Sequence, residues 1–278
     1  MNLIADSGST KTHWCLVENG QIIKQIFTKG INPFYQSENE IKTEIELYLI
    51  PEISIQSVSK IFFYGAGCSF PEKKVMVSNA LGCFFKHISI EVQSDLLAAS
   101  RALFGHNQGI ACIMGTGSNS CFYDGNKIAE NVSPLGFILG DEGSGAVLGK
   151  TLVSDCLKNQ LSPRLKEKFL NQFEITPAEI LENVYKKPFP NRFLAKFTTF
   201  LSENIQEEEI YQIVYTGFTS FVKRNIAQYQ TEGLKVGFVG SIAYYFKDIL
   251  YKVALENGLK VDMIDQSPMD GLVNFHKD

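Results

Sequence analysis

The chain has 278 residues, of which 45% are hydrophobic and 20% are charged, and its formal net charge is -4. This length and composition favour a globular protein of one large domain or two ordinary ones. The slight negative charge gives no support to nucleic acid or an anionic membrane as a partner. The six cysteines form no C-x-x-C pair, which favours reduced, buried thiols over a disulfide framework or a zinc site.

The start of the chain shows no basic leader followed by an apolar stretch, which is the pattern of a secretory signal. No uninterrupted apolar run approaches the roughly 20 residues that a membrane-spanning helix needs. We therefore expect a cytoplasmic protein without a membrane partner.

The first residues follow the pattern strand, loop, strand, turn, strand. The apolar run Leu3–Ala5 leads to Asp6, a loop of glycine and hydroxyl residues follows, and Asn19-Gly20 is typical of a two-residue hairpin. Backbone N–H groups and small hydroxyls in such a loop suit a phosphate. A carboxylate at the end of the strand suits a hydrated Mg²⁺. An ordinary hairpin with a Gly/Ser-rich loop would produce the same pattern.

Between residues 30 and 105, predicted strands and helices alternate along the chain. Ser-x-x-Glu spacings that begin at Ser37 and Ser69 indicate capping boxes at the starts of two helices. A third helix begins at Ser94-Asp95 and ends at Gly105. The predicted helices cover residues 38–49, 70–81 and 96–103, and the predicted strands between them cover 58–64 and 87–92. The alternation favours an α/β sheet with a parallel part.

The second half begins by repeating the pattern of the first. An apolar strand over 110–114 precedes a glycine-hydroxyl loop at 115–120, and Asp124-Gly125 is a second hairpin turn. Two such hairpins suggest two domains of related design, which we place at 1–106 and 107–278. Facing hairpins could hold a polyphosphate from both sides.

The rest of the second half is mainly helical. An acidic pair, Asp141-Glu142, precedes a helix over about 146–158, and the region 162–232 has helical character. Apolar residues between Ile210 and Ile226 fall on one helix face. A strand over 235–239, a helix over 242–256 and a last strand over 259–264 follow. We therefore predict a helical insertion at about 151–232 in the second domain.

Five segments come in the order and approximate spacing of the sugar kinase/actin/Hsp70 superfamily; they are 6–12, 95–99, 113–119, 136–144 and 237–242. Within it, the chain most resembles the N-acetylglucosamine kinase and BadF/BadG/BcrA/BcrD ATPase branch. The most specific feature is G-T-G-S-N followed about twenty residues later by G-D-E-G-S. The resemblance implies an α/β fold of two ribonuclease-H-like (actin-like ATPase) domains with a mixed sheet each. It also implies ATP and Mg²⁺ in an interdomain cleft.

The resemblance assigns both hairpin loops to the phosphates of ATP, and Asp6 to Mg²⁺ through water. The phosphate-binding residues that it implies are Ser7, Gly8, Ser9, Thr10, Lys11, Thr12, Gly115, Thr116 and Gly117. Lys11-Thr12 does not complete a Walker A motif, because Thr10 rather than glycine precedes the lysine. Lys11 could equally be a solvated hairpin lysine.

The adenosine of ATP is assigned to a second glycine-containing turn, at Gly237, Gly240 and Ser241. Glycines there let a flat base approach the backbone, and the following helix N-terminus adds hydrogen-bond donors. A plain strand-to-helix turn is the alternative.

Asp95 is the candidate catalytic residue. Phosphoryl transfer needs alignment, charge neutralisation and a group that accepts the proton of the attacking hydroxyl. An aspartate at a helix start near the domain junction can serve as that general base. The alternative is that Asp95 is simply an N-cap, a position that aspartate fills well.

The sugar-binding candidates implied by the resemblance are Asn32, Ser118, Asn119, Gly136, Phe137 and Asp141. A carboxylate that accepts hydrogen bonds from two hydroxyls, as proposed for Asp141, discriminates strongly for a sugar. The alternative for Asp141 and Glu142 is a favourable interaction with the helix dipole in a first helical turn. Phe137 stands where animal N-acetylglucosamine kinases tend to carry a tryptophan, and it or Asn32 could equally be core.

The leading hypothesis is an ATP-dependent kinase that phosphorylates a hydroxyl, O6, of N-acetylglucosamine or glucosamine. One alternative is an activator ATPase coupled to electron transfer, which would need cysteines for an iron–sulfur cluster; only Cys68 lies in a suitable glycine-rich loop. The other alternative is a non-catalytic regulatory protein that binds nucleotide.

The four histidines show no metal-ligand spacing. Family analogy adds a homodimer through the helical part.

Overall fold

The computed structural model describes residues 1–8, 10–230 and 232–277. Contacts divide the chain into two compact units. The first comprises Met1–Asn107, Asp124–Ile128 and the segment from Ser267 onward, and the second comprises Gln108–Tyr123 and Ala129–Gln266. The domain limits 1–106 and 107–278 stay a prediction. The units are defined by contacts within the fold, and both consist of more than one segment of the chain.

The sheet of the first unit has five strands: β1 (Asn2–Ser7), β2 (Lys11–Glu18), β3 (Gln21–Lys29), β4 (Lys60–Gly65) and β5 (Ser89–Ser94). Their order is β3-β2-β1-β4-β5. β1 is antiparallel to β2 and parallel to β4, and β4 is parallel to β5. The turn between β2 and β3 has positive φ at both Asn19 and Gly20, as a type I′ hairpin requires. The carboxyl ends of β1, β4 and β5 therefore meet at one edge of the sheet.

The sheet of the second unit contains β6 (Gly109–Met114), β7 (Ser118–Tyr123), β8 (Ile128–Val132), β9 (Val236–Val239) and β10 (Val261–Asp265). Its order, β10-β9-β6-β7-β8, repeats that of the first sheet with every strand in the corresponding place. β6 is antiparallel to β7 and parallel to β9, and β9 is parallel to β10. The α/β class with a mixed sheet in each half, and the repeat of the hairpin, are confirmed.

Helices complete both units. Those of the first are α1 (Glu38–Glu44), α2 (Pro71–Gly82), α3 (Asp95–Phe104) and, from the end of the chain, α13 (Met269–Phe275). Those of the second are α4 (Gly136–Leu139), α5 (Gly145–Leu157), α6 (Pro163–Gln172), α7 (Pro177–Tyr185), α8 (Pro190–Ala195), α9 (Thr198–Glu203), α10 (Glu208–Arg224), α11 (Ser241–Tyr245) and α12 (Lys247–Glu256).

Three local predictions differ from the structure. The capping box at Ser37 is present, but α1 passes into a π-helical turn at Ile45–Leu49. The capping box at Ser69 is wrong, because Phe70 is the N-cap of α2 and Pro71, which lacks the N–H that needs a cap, occupies its first turn. The helix predicted over 242–256 is divided at Phe246 into α11 and α12.

Both faces of the first sheet are covered. On one face, side chains such as Leu3 and Phe63 join a core with α1 and α2, including Ile41 and Val77. On the other face, α3 and α13 cover the sheet, and Leu272 packs in the same cluster as residues of β1 and β4. The strands are therefore apolar on both sides, as expected for the parallel part of an α/β sheet.

The second unit has one large core that joins β6 and β9 to the helical region. The apolar face predicted for 210–226 is confirmed, since Ile213, Phe218 and Phe221 of α10 are buried in it. Among the described residues, no helix combines the length and the apolar character that crossing a membrane would require.

Candidate active site

Asp6 lies next to the end of β1, and Asp95 is the first residue of α3, directly after β5. Both side chains are half-buried. Burial, together with the nearby Asp95 carboxylate, raises the pKa of Asp6 to about 7, and Lys11 opposes the rise. Burial likewise raises the pKa of Asp95 to about 6, against the hydrogen bond that its carboxylate accepts from the Leu96 N–H. The first unit thus brings two half-buried carboxylates close together, with Lys11 as a nearby positive charge.

Asp95 is not the helix cap. The N-cap of α3 is Ser94, whose hydroxyl accepts a hydrogen bond from the Leu97 N–H. The alternative interpretation of Asp95 as a simple N-cap is therefore wrong. Because a neighbouring serine already satisfies the helix start, the Asp95 carboxylate is left for other chemistry.

Two hydroxyls of the first loop are used inside the protein. Ser7 and Thr12 are fully buried, and their side-chain oxygens lie 2.6 Å apart. The Ser7 hydroxyl donates to the Ile31 carbonyl at 3.0 Å, and the Thr12 hydroxyl donates to the Lys29 carbonyl at 3.0 Å. The Ile31 N–H donates back to Ser7 Oγ at 2.9 Å. These side chains attach the loop after β3 to the hairpin, while the phosphate-binding roles of Ser7 and Thr12 stay predictions.

The exposed part of the first loop is Gly8, Thr10 and Lys11, and Ser9 lies outside the described residues. The Gly8 N–H donates to the Lys11 carbonyl at 3.0 Å, which closes the hairpin. Lys11 places its ammonium 5.3 Å from the ring centroid of Phe27 and remains close enough to lower the pKa of Asp6. The phosphate-binding roles of these residues stay predictions.

Asn32 is buried beside this loop. Its side-chain Oδ1 accepts a hydrogen bond from the Phe34 N–H at 3.0 Å, while its own N–H donates to Gln36 Oε1 at 2.7 Å. Its Nδ2 has no hydrogen-bond partner within residues 1–8, 10–230 and 232–277. The Asn32 amide is therefore held in one orientation, with its Nδ2 as a donor that no described residue uses.

Gly67, in the loop after β4, lies directly against Asn32. Its φ is +82°, and a Cβ atom at this position would lie 2.4 Å from Asn32 Oδ1. Only glycine allows both this backbone conformation and this approach. The sequence pattern does not indicate this contact with Asn32, because the contact joins two loops that are separate in the chain.

In the second unit, the Gly115–Gly117 loop is attached to the start of α5. The Gly145 and Ala146 N–H groups donate to the carbonyls of Gly115 and Thr116 at 2.8 and 3.0 Å. The side chain of Asp141 covers Gly117, where a Cβ would lie 3.0 Å from Asp141 Oδ2. The structure therefore brings the predicted phosphate loop and the predicted sugar-binding acid together.

The acidic pair precedes α5 rather than lying in its first turn. Ser144 is the N-cap of α5, so the interpretation of Asp141 and Glu142 as first-turn residues is wrong. Asp141 adopts a φ of 53°. Burial raises its pKa to about 6, although it accepts a hydrogen bond from the Ser118 N–H. Glu142 instead forms an ion pair with Arg224 at 2.5 Å.

The other sugar-binding candidates differ in availability. The Ser118 side chain is buried and donates to the Glu142 carbonyl at 2.8 Å, so its hydroxyl supports the acidic loop. Asn119 is half-buried at the start of β7. Gly136 is exposed, whereas Phe137 packs partly against the core and its carbonyl accepts from Lys150 Nζ at 2.7 Å.

One adenosine candidate cannot contact a ligand in this structure. Gly237 is buried within β9, between β6 and β10, inside the strand that the sequence predicts over 235–239. Gly240 has a φ of 129°, and a Cβ there would lie 2.2 Å from the Met114 carbonyl oxygen. Ser241 is exposed at the start of α11. The turn is therefore packed tightly onto β6, with only its outer side open.

The described residues contain no cluster of three or more His, Cys, Asp or Glu side chains that could hold a metal ion. Cys68 is buried, and burial raises its pKa to about 12. A neutral buried thiol is a poor ligand for an iron–sulfur cluster.

A comparison with solved structures finds a proposed N-acetylglucosamine kinase from Porphyromonas gingivalis, with 46% identity and a TM-score of 0.98 over 100% of this chain and 99% of that one. The chain belongs to the N-acetylglucosamine kinase/BadF-type ATPase family. A second proposed N-acetylglucosamine kinase, from Chromobacterium violaceum, matches with 16% identity and a TM-score of 0.72 over 99% and 98% of the two chains. At this identity the likeness concerns the fold alone.

The fold of this family extends to more distant proteins. The activator of 2-hydroxyisocaproyl-CoA dehydratase from Clostridium difficile, solved with bound ADPNP, matches with 14% identity and a TM-score of 0.50 over 99% and 92% of the chains. No protein-family model and no curated protein matches the chain. The resemblance to the N-acetylglucosamine kinase/BadF-type family is confirmed, while the roles of individual residues stay predictions.

Proposed function

We propose that the protein is an ATP-dependent sugar kinase that transfers a phosphoryl group to O6 of an amino sugar, N-acetylglucosamine or glucosamine. The name of the Porphyromonas relative supports the reaction class, and the nucleotide bound by the Clostridium activator supports ATP as a ligand of this fold. The observation that carries the proposal is Asp95, a half-buried carboxylate that is not needed as a helix cap and has a pKa raised to about 6.

Asp95 would act as the general base. With a pKa of about 6, its carboxylate is mostly ionised near neutral pH and is a stronger base than an ordinary exposed aspartate. It would accept the proton of the attacking sugar hydroxyl as the phosphorus–oxygen bond forms. Most of the remaining catalysis in phosphoryl transfer is positioning and charge neutralisation.

Asp6 fits a Mg²⁺ site. Its carboxylate interacts with that of Asp95, and its pKa is raised to about 7 despite the nearby Lys11, so a divalent cation would add positive charge that favours the ionised pair. Mg²⁺ binds proteins through one or two carboxylates and keeps several waters, so Asp6 could hold it through water. When bound, Mg²⁺ would neutralise charge on the β- and γ-phosphates of ATP.

The sugar would be oriented by Asn32, Asn119 and Asp141. Asn32 offers an unused amide donor, and Asp141 offers a carboxylate that can accept hydrogen bonds from sugar hydroxyls. Gly8, Thr10 and Lys11 in one unit and Gly115–Gly117 in the other would lie along the phosphates. Of the adenosine candidates, Gly240 and Ser241 would be the ones in contact. A homodimer is also proposed, and light scattering of the purified protein would test it.

The test is ADP release from Mg-ATP in the presence of N-acetylglucosamine, glucosamine, N-acetylmannosamine, N-acetylmuramic acid or glucose. We expect turnover with an amino sugar and a 6-phosphate product in ³¹P NMR spectra. If the protein binds ATP but none of these sugars stimulates ADP release, the proposal is refuted.

The base role has its own variants. Asp95→Asn should lower kcat by about 10²- to 10⁴-fold and leave the Kd for ATP nearly unchanged. Asp248→Asn, which removes an exposed carboxylate in α12, is the matched control and should keep full activity. Unchanged turnover in Asp95→Asn would exclude Asp95 as the base.

A further inference from the structure

Asn119 is held in one orientation by two donors. Its Oδ1 accepts hydrogen bonds from the Ser120 N–H at 2.9 Å and from Asn131 Nδ2 at 3.0 Å. A backbone N–H can only donate, so the atom that faces Ser120 must be the amide oxygen. Within residues 1–8, 10–230 and 232–277, Nδ2 of Asn119 has no hydrogen-bond partner, which leaves it as an unused donor.

The amide of Asn131 is fixed in turn by its surroundings. Its Nδ2 also lies 2.6 Å from the Ser120 carbonyl oxygen and 3.2 Å from the Val132 carbonyl oxygen, so its two N–H groups are shared among three acceptors. Three oxygens therefore surround this nitrogen, and a reversed amide would place its own oxygen against all three. Asn131 can therefore hold Asn119 only by donating to it.

The backbone around Asn131 is anchored to the core. The buried Tyr229 accepts a hydrogen bond from the Val132 N–H at 2.9 Å, and its hydroxyl lies 2.9 Å from both Ser120 Oγ and the Ser120 carbonyl oxygen. These contacts hold β7 and β8 in register at this point. The backbone that carries the exposed Asn131 side chain is consequently held in place. Truncating this side chain should therefore not unfold the strand pair.

We propose that Asn131 is a positioning residue that makes Asn119 a hydrogen-bond donor toward the sugar. This inference rests on the proposed function, and it specifies the chemistry of the ligand atom: Asn119 selects an acceptor, such as a hydroxyl oxygen or an acetamido carbonyl. Asn32 carries the same arrangement, because the Phe34 N–H occupies its Oδ1 and leaves its Nδ2 unused. Asp141 is complementary, since a carboxylate accepts hydrogen bonds that sugar hydroxyls donate.

Asn131→Ala and Asn131→Asp test the proposal. Asn131→Ala removes one of the two hydrogen bonds that hold the Asn119 amide and leaves only the Ser120 N–H, so it should raise KM for the sugar about fivefold to tenfold and leave kcat and KM for ATP unchanged. Asn131→Asp should raise KM for the sugar further, because a carboxylate repels Asn119 Oδ1 and favours the reversed amide. Asn126→Ala, on the same hairpin connection, is the control and should leave all three constants unchanged.

Sugar analogues provide a second measurement, which would not be affected if Asn131 only stabilised the fold. Fluorine accepts a weak hydrogen bond but cannot donate one. At the position that faces Asn119, wild-type protein should therefore use a deoxyfluoro sugar better than the deoxy sugar, and Asn131→Ala should abolish that difference. If wild-type protein is active but the sugar KM of both variants is unchanged, this inference alone is overturned. If wild-type protein is silent with every sugar, the proposed function fails and this inference fails with it.

Discussion

Replacing Asp6 by Asn should stabilise the protein while it removes activity. The pKa of Asp6 is raised to about 7 from an ordinary value of 3.8, chiefly by burial. At about 1.36 kcal/mol per pKa unit, this difference corresponds to about 4 kcal/mol of unfavourable charge in the folded protein. Because the half-buried side chain keeps some contact with solvent, screening reduces the effect, and we expect a gain of about 1–3 kcal/mol in the free energy of unfolding.

The gain must depend on pH. A carboxyl with a raised pKa keeps its proton to a higher pH in the folded than in the unfolded chain, so its stabilising contribution is complete below about 3.8 and is lost as the pH rises through about 7. The difference between Asp6→Asn and wild type should thus be largest near pH 8 and fall below about 1 kcal/mol near pH 4.5.

Urea unfolding at about pH 8 and about pH 4.5, followed by circular dichroism, measures both quantities. Asp248→Asn is the control; it removes a favourable first-turn charge from α12 and should be neutral or slightly destabilising. If Asp6→Asn is no more stable than wild type at about pH 8, or if its gain is the same at both pH values, the reasoning about a buried, uncompensated carboxylate is refuted.

Three further predictions concern the same edge of the first sheet. Since the pKa of Asp95 is raised to about 6, kcat/KM for the sugar should fall about tenfold per pH unit below about pH 6, and a flat profile down to about pH 5 would argue against this base. Binding of Mg-ATP near pH 7 should release protons, because the cation lowers the pKa of Asp6. Calorimetry in buffers of different ionisation enthalpy measures the number of protons released. Asp6→Asn should remove most of this proton release. Gly67→Ala should raise KM for the sugar at least about tenfold, because the new Cβ displaces Asn32. Gly82→Ala is the control and should leave KM unchanged, because a Cβ at Gly82 meets no atom within 4 Å. Equal kinetics of the two variants would contradict the contact between Gly67 and Asn32.

Part of the local structure follows from short-range chemistry alone. Asn19-Gly20 predicts a hairpin because both positions need a positive φ, and the structure has that turn. The spacing of Ser37 and Glu40 likewise predicts a capping box that α1 contains. At Ser69 the same spacing does not form a cap, because Pro71 in the first turn leaves the helix start to Phe70.

Side-chain direction is what the sequence could not supply. Ser7 and Thr12 stand in a loop of phosphate-binding composition, yet their hydroxyls are consumed by the loop after β3, which lies nearby only in the folded chain. Ser118 is used in the same way by the backbone of Glu142. A hydroxyl in a loop has the same sequence signature whether it faces a ligand or a carbonyl.

Strand and turn patterns in the sequence therefore predicted the repeated hairpins, because these patterns are local. The resemblance of five segments indicated the family and its two mixed sheets, and it gave Asp6, Asp95 and Asp141 roles that stay predictions. The tertiary structure decided what surrounds those acids. It raised their pKa values through burial, relieved Asp95 of capping through Ser94, and placed Gly67 against Asn32. These effects depend on distances between segments far apart in the chain, which no pattern of neighbouring residues records.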